Sequence, residues 1–472
     1  MVEKTPKKNA SKTAEDAPGE EAYVVRPELV REIIDALDAS NIHRVEELVG
    51  ALHHADLADL IEMLAPEDRK VLIEIIRAEF DPETLATLDE HVREEVVEQL
   101  GAAEVAAAIS ELDTDDAVEV VEHLDDSVQQ EVLDAVPAED RALLEEGLTY
   151  PEDSAGRLMQ RELVAIPSYW TVGETIDFLR AAAERDEDEL PEEFYDIFVV
   201  DPKHQPLGTV PLSRVLRTKR PVRVSDLMAA EVRPVPVTMD QEQVAFLFRQ
   251  YDLVSAPVVG EDGRLVGVIT HDDVLDVVDE EAEEDLMRLG GVTGTDLYRA
   301  AIDTSRSRFP WLVVNLATAI VASIVIGFFE ATIQQIVALA VLMPIVASMG
   351  GNAGTQTLTV AVRALAMKEL TASNALRIVG KEVLVGSFNG LIFAVLMGIV
   401  AWAWFGSAAI GIVIAAAMAI NLVVAGLAGV AIPVGLERTG IDPAVASVVL
   451  LTTITDVVGF ATFLGLAALF LL

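Results

Sequence analysis

The sequence predicts a multidomain membrane protein: an α-helical solenoid, then a pair of related α/β units, then a five-helix transmembrane domain. Three observations carry this. An apolar residue returns every twelve positions, at Leu52, Leu64, Ile76, Leu88, Leu100, Leu112, Leu124, Val136 and Leu148, which marks a repeat. Two later stretches repeat one another. Leu158-Met159, Ile166-Pro167 and Arg180 recur 69 positions on at Leu227-Met228, Val235-Pro236 and Arg249, while Phe198-Val199-Val200, Gly208 and Val215-Leu216 recur 59 positions on at Pro257-Val258-Val259, Gly267 and Val274-Leu275. Four uncharged runs close the chain, at 309–329, 331–362, 383–436 and 443–472, the last broken only by Asp456.

In chain order, residues 1–22 are rich in Lys, Ala, Glu, Pro and Thr and bury nothing, which predicts a disordered tail. Over 23–150 each twelve-residue unit opens on proline or carboxylates, as in Ala65-Pro66-Glu67-Asp68 and Asp113-Thr114-Asp115-Asp116. Those residues suit the positive end of a short helix, so the region reads as a stack of short helices. Residues 151–220 and 221–275 alternate β-branched runs with amphipathic helices and read as two β-α-β-β-α units. The first copy carries an acidic insertion around Glu184 to Asp196. Residues 276–305 continue as an acidic helix through Asp279-Glu280-Glu281-Ala282-Glu283-Glu284-Asp285, either a solvated charge run or a mechanical link to the membrane.

Of the chain's 34 basic and 78 acidic residues, 7 and 6 lie from Arg306 onward, so nearly all the negative charge precedes the apolar part. That balance repels nucleic acid and favours cations. The absence of cysteine excludes disulfides and thiolate metal sites. No phosphate loop and no nucleophile triad is present, so neither an ATP-driven pump nor an enzyme is expected. No apolar h-region follows Met1, so no cleaved signal peptide is expected.

At about 20 residues per crossing, the uncharged runs give spans near 309–329, 333–362, 383–404, 409–434 and 444–470, with a turn near Phe405-Gly406-Ser407. With the N-terminal body in the cytosol, Arg306, Arg308, Arg363, Lys368, Arg377, Lys381 and Arg438 all fall on the cytosolic side and the C-terminus lies outside. The second span holds the polar stretch Ser348-Met349-Gly350-Gly351-Asn352-Ala353-Gly354-Thr355-Gln356. On a helix, Ser348, Asn352, Thr355/Gln356, Thr359 and Arg363 form one stripe, which must face other helices or water. The glycine pair either forms a packing seam or lets a hydrated ion approach and loosens the helix. Asp456 lies in mid-span with Thr452 and Thr453 one turn before it, and no basic residue sits at matching depth. A carboxylate there costs about 2.5–3.5 kcal/mol to insert, so a cation or a proton is its expected partner.

The stretch Ser255-Ala256-Pro257-Val258-Val259 through Gly267-Val268-Ile269-Thr270-His271-Asp272-Asp273 resembles the cystathionine-β-synthase (CBS) domain, a regulatory module found in pairs. The resemblance implies that Thr270 and Asp273 hold the ribose of ATP or another adenine nucleotide, or that the pair works without one. Tyr150-Pro151-Glu152-Asp153-Ser154-Ala155-Gly156, the Pro344…Gly350-Gly351-Asn352-Ala353-Gly354-Thr355-Gln356 element and Thr452-Thr453-Ile454-Thr455-Asp456 together resemble the MgtE family of magnesium transporters and channels, over nearly the whole chain. That resemblance implies a homodimer in the cell (inner) membrane with the ion path between subunits. It also implies soluble domains that close the path when cytosolic Mg2+ is plentiful.

Mg2+ sheds its waters reluctantly, so oxygen donors lining a wide path suit it better than a tight cage. The expected path residues are Asp456, Asn352, Gly351, Thr355, Gln356, Thr452 and Thr453. Regulatory Mg2+ is expected at Asp272, Asp273, Glu283 and Glu284, with Asp442 resembling a family position that shares an ion with the connecting helix. Competing expectations are a broader divalent carrier (Co2+, Mn2+), a proton-coupled transporter using Asp456, and a CBS-regulated membrane signalling protein.

Overall fold

The computed structural model describes residues 25–183, 190–191, 194–229, 231–292 and 301–472. The expected disordered tail lies outside them, as do most of the acidic insertion and 293–300 of the connecting segment. Two compact units form, Met1–Val277 and Val278–Leu472.

The first unit opens with ten short helices: α1 (Pro27–Asp38), α2 (Ile42–Val49), α3 (His54–Met63), α4 (Pro66–Ile76), α5 (Glu83–Thr87), α6 (Glu90–Leu100), α7 (Ala102–Ile109), α8 (Thr114–Glu122), α9 (Asp126–Ala135) and α10 (Ala138–Gly147). Their starts follow local chemistry: Pro27 and Pro66 occupy first-turn positions, and Asn41 and Asp89 accept backbone N–H groups as caps. Helices two apart pack together, α2 on α4, α4 on α6, α7 on α9 and α8 on α10, so the structural repeat is a pair of helices. The twelve-residue apolar series lines or abuts one continuous core.

A second periodicity lies inside that core. Arg69 and Arg93, 24 positions apart, are each 5% exposed. Arg69 donates to the carbonyls of Ile61 and Leu64 at the end of α3, and it pairs with Glu95. Arg93 donates to Ala86 and Leu88 and pairs with Glu119 at 2.8 Å. Each guanidinium thus satisfies carbonyls left free at a helix end and carries its charge to the next layer.

The α/β part holds two three-stranded sheets. In the first, β1 (Ala165–Pro167) runs parallel to β2 (Asp196–Val200), which pairs antiparallel with β3 (Pro206–Pro211); α11 (Val172–Ala183) and α12 (Leu212–Arg217) complete it. In the second, β4 (Val235–Pro236), β5 (Ser255–Val259) and β6 (Leu265–Thr270) repeat the arrangement with α13 (Gln241–Tyr251) and α14 (His271–Gly290), down to a register shift at Val258/Val259 that matches Val199/Val200. The repeated Leu-Met and Gly positions interlock. A Cβ on Gly267 would lie 2.7 Å from Met159 Sδ, and one on Gly208 would lie 2.9 Å from Met228 Sδ, so each copy's leading strap lies across the other copy's sheet.

The second unit carries α15 (Ala301–Gly327), α16 (Glu330–Gln335), α17 (Ala338–Ala366), α18 (Ala375–Phe405), α19 (Ala408–Arg438) and α20 (Pro443–Phe470). Five of these are long and apolar enough to cross a membrane: Thr304–Gly327 within α15, and α17 to α20. Two ends differ from the uncharged runs. The second run breaks at Ile336, leaving α16 as a separate short helix, and α18 begins before Arg377, Lys381 and Glu382. Charge limits what lipid can cover, not where backbone hydrogen bonding stops. The most enclosed of the five is α19. Its seam with α18 brings backbone to backbone, a Cβ on Gly386 falling 2.6 Å from the Leu422 carbonyl and one on Gly426 falling 2.7 Å from that of Glu382.

Candidate functional site

Within the membrane unit the site grows from α17 and α20. α17 stays helical through Pro344 and both glycines, so the expected loosening is absent. The glycine pair divides its duties. Gly350 faces the Asn421 amide of α19 so closely that a side chain there would overlap it, whereas a Cβ on Gly351 would meet nothing within 4 Å. Asn421 is fully buried; its Nδ2 donates to the Val346 carbonyl at 3.0 Å, and its Oδ1 is buried without a partner. Gly459 of α20 lies against the same amide, and Gly354 against Leu451. Contacts that advance along α17 therefore retreat along α20, so the two helices run antiparallel. Asp456 and Asn352 both fall between these contacts, at one level of the bundle.

Around that level the polar groups point outward. Ser348, Asn352, Thr355 and Thr359 are exposed on the single chain, Asn352 Nδ2 donating to Ser348 Oγ at 3.4 Å and Thr355 Oγ1 to the Gly351 carbonyl at 2.9 Å. On α20, Thr452 and Thr453 hydroxyls donate to carbonyls one turn back. Spending the proton this way leaves their lone pairs free to accept or to face a cation. Asp456 is half-buried and, among the described residues, has neither a hydrogen-bond nor an ion-pair partner. Gln356 parts from Thr355 and turns into a separate recess with Thr357, Glu382 and Asn389.

The acidic residues form two groups, one in each unit. In the first, Asp113, Asp115 and Asp116 at the start of α8 meet Asp272 and Asp273 at the start of α14, with Glu83 and Glu162 nearby. Burial, then the charge of Glu162, pushes Asp113 up to about 6; burial, then Glu83, pushes Asp116 up to about 7. Burial also raises Asp115, whose Oδ1 has no partner, and Asp273. Thr270 donates to Asp273 from both its backbone N–H and its hydroxyl, at 2.9 and 2.7 Å, so the expected nucleotide pair closes the turn into α14.

In the second group Asp442 caps α20 through Ala444 N–H at 2.7 Å, and its other oxygen accepts from Arg288 Nη1 at 2.7 Å. Arg288 also pairs with Glu284, while Glu283 is exposed. Burial, then the Asp442 charge, raises Asp285 beside them. A guanidinium thus stands among the carboxylates that the sequence suggested for a shared ion. Leu289 packs next to it against the cluster formed by Leu358, Val362, Ala428, Ala444 and Leu451. Sequence reasoning missed Arg288; its one signal is a lone basic residue in the last turn of an acidic helix. Among the described residues no three acidic or histidine side chains stand ready to hold a metal by themselves.

A family model described as "divalent cation transporter" matches residues 343–466, one for the MgtE intracellular N domain matches 52–153, and one for the CBS domain matches 224–280. The magnesium transporter MgtE of Bacillus subtilis is 30% identical over 94% of this chain and 98% of its own, and that of Thermus thermophilus is 34% identical over 93% and 97%. A solved cytosolic domain of the Mg2+ channel MgtE in complex with ATP is 33% identical, covering 52% of this chain and 99% of that one, with a TM-score of 0.48.

Proposed function

The chain belongs to the MgtE family, and from that premise we propose that it admits Mg2+ through the membrane and closes when cytosolic Mg2+ occupies its acidic interfaces. One observation carries the transport reading: the partnerless carboxylate of Asp456, level with the outward-facing Asn352. An unpaired charge within apolar spans is stable only beside water or a cation. The exposed stripe on α17 is as costly against lipid, so a second copy covers it and the path lies between two subunits. Regulatory Mg2+ binds through its own waters, as suits an ion that dehydrates reluctantly and a set of acids that does not converge on one point. The chain spans the cell membrane with its N-terminal unit cytosolic and its C-terminus outside.

Closure follows from charge. Without Mg2+, Asp113, Asp115 and Asp116 repel Asp272 and Asp273; with it, the repulsion is bridged and α14 is fixed. At the far end of α14, Arg288 holds Glu284 and Asp442 together without metal, so the helix stays seated on the start of α20, which bears Asp456.

Mg2+ uptake into liposomes tests this with the intact chain, with Asp456→Asn and with residues 1 to 270 removed. Uptake is expected to fall at least tenfold in the first variant and to lose inhibition by Mg2+ on the soluble side in the second. Uptake that survives Asp456→Asn removes the transport reading.

A further inference from the structure

The membrane unit contains a second polar place that the ion path does not use. A recess of about 120 Å3 lies between α17, α18 and α19, lined by Gln356, Thr357, Glu382 and Asn389 and otherwise by small or apolar residues. No residue of α20 contributes to it, so it is distinct from the neighbourhood of Asp456.

The backbone explains why it exists. Gly386 and Gly426 bring α18 and α19 into contact, and the Glu382 carbonyl rests where a side chain on Gly426 would stand. The Glu382 side chain, 13% exposed, is left to reach α17, where Oε2 accepts from Thr357 Oγ1 at 3.3 Å. Its other oxygen lies 3.4 Å from Lys381 Nζ, a side chain that is 68% exposed. Among the described residues the amides of Gln356 and Asn389 have no protein partner. The two amides, exposed on the single chain, cost free energy where lipid would cover them unless something polar joins them.

We propose that this recess is a second cation site, selective for a hard monovalent ion such as Na+ or K+ held by Glu382, Thr357, Gln356 and Asn389. All the donors are oxygens, which excludes soft metals. The charge is too small for a divalent ion: a single carboxylate, one oxygen of which already faces Lys381, cannot compensate a Mg2+ that would surrender its waters. The volume admits an ion with a few waters, at ~30 Å3 for each water. Binding there ties α17, which carries the exposed stripe, to α18.

The test uses the full-length protein in lipid nanodiscs at constant ionic strength, exchanging choline chloride for sodium chloride or, in a parallel arm, potassium chloride. The melting temperature of the membrane unit is expected to rise with the alkali ion, by about 3 °C for each tenfold increase above its Kd. Glu382→Gln abolishes the rise. Asn389→Leu, at an exposed position that spares folding, weakens the apparent affinity about tenfold. Asp456→Asn leaves the response intact, which separates this site from the transport path. An equal response in Glu382→Gln or unchanged affinity in Asn389→Leu overturns the proposal, as does loss of the response in Asp456→Asn or saturation by Mg2+ at lower concentration than by sodium.

Discussion

At the scale of single residues, two adjacent glycines in α17 make the sharpest contrast. A methyl on Gly350 has to displace the buried Asn421 amide, which also bonds Val346, whereas a methyl on Gly351 enters open space. Gly350→Ala is therefore expected to lower stability by about 1–3 kcal/mol through overpacking. Gly351→Ala is expected to be neutral or to gain about 0.5–1 kcal/mol from reduced backbone entropy. Thermal unfolding of the two purified variants checks this, and equal costs would contradict the packing described for Gly350. The sequence marked both glycines as one pair, because residue type cannot show which face of a helix meets a neighbour. Asp456 and Asn352 were legible, since a carboxylate and an amide in an apolar run stand out without any structure. Arg288 was not, because its partner Asp442 lies 154 positions away.

At the scale of elements, the last turn of α14 is held by both charge and packing. Arg288 pairs with Glu284 and Asp442, while Leu289 packs on α17 and α20. Removing the guanidinium leaves Glu284, Asp285 and Asp442 facing one another. In Arg288→Gln, segment 279–289 is expected to become protease-sensitive in EDTA and to regain protection with Mg2+, while the parent chain is protected in both. The double variant Arg288→Asp with Asp442→Arg restores protection in EDTA. Identical cleavage of Arg288→Gln and the parent sinks the latch. Helices themselves were readable to different degrees. The twelve-residue apolar return located the stack of α3–α10 because burial fixes residue type at each turn. The 24-residue spacing of Arg69 and Arg93 is not marked in the same way, since two arginines among many charges carry no apolar signal. The start of α18 leaves no mark in the apolar pattern for a related reason, because its first turns are charged and precede the uncharged run.

At the scale of the whole molecule, acidity sets how the first unit responds to pH. Asp113 titrates at about 6 and Asp116 at about 7, above the ordinary 3.8, with Asp115 and Asp273 raised as well. A carboxyl raised by folding contributes stability fully present below pH 3.8 and lost as pH climbs through its folded value. In EDTA the Met1–Val277 unit of the full chain is therefore expected to melt at a higher temperature at pH 5 than at pH 8. The difference shrinks with saturating Mg2+, and Asp116→Asn flattens the profile, which separates this cluster from the general repulsion of an acidic body. A midpoint that rises from pH 5 to pH 8 contradicts the arrangement. Composition alone showed that the acids precede the spans; which of them meet across α8 and α14 depends on how the solenoid folds back, a tertiary outcome no local pattern encodes.

The crossed methionine straps of the two sheets bear on how displacement passes through the soluble unit. Because Met159 covers Gly267 and Met228 covers Gly208, neither sheet can swing from the other without unclasping both. The duplicated pair is accordingly a stiff coupling rather than a hinge: a shift imposed by the solenoid at one end reaches α14 at the other nearly undamped.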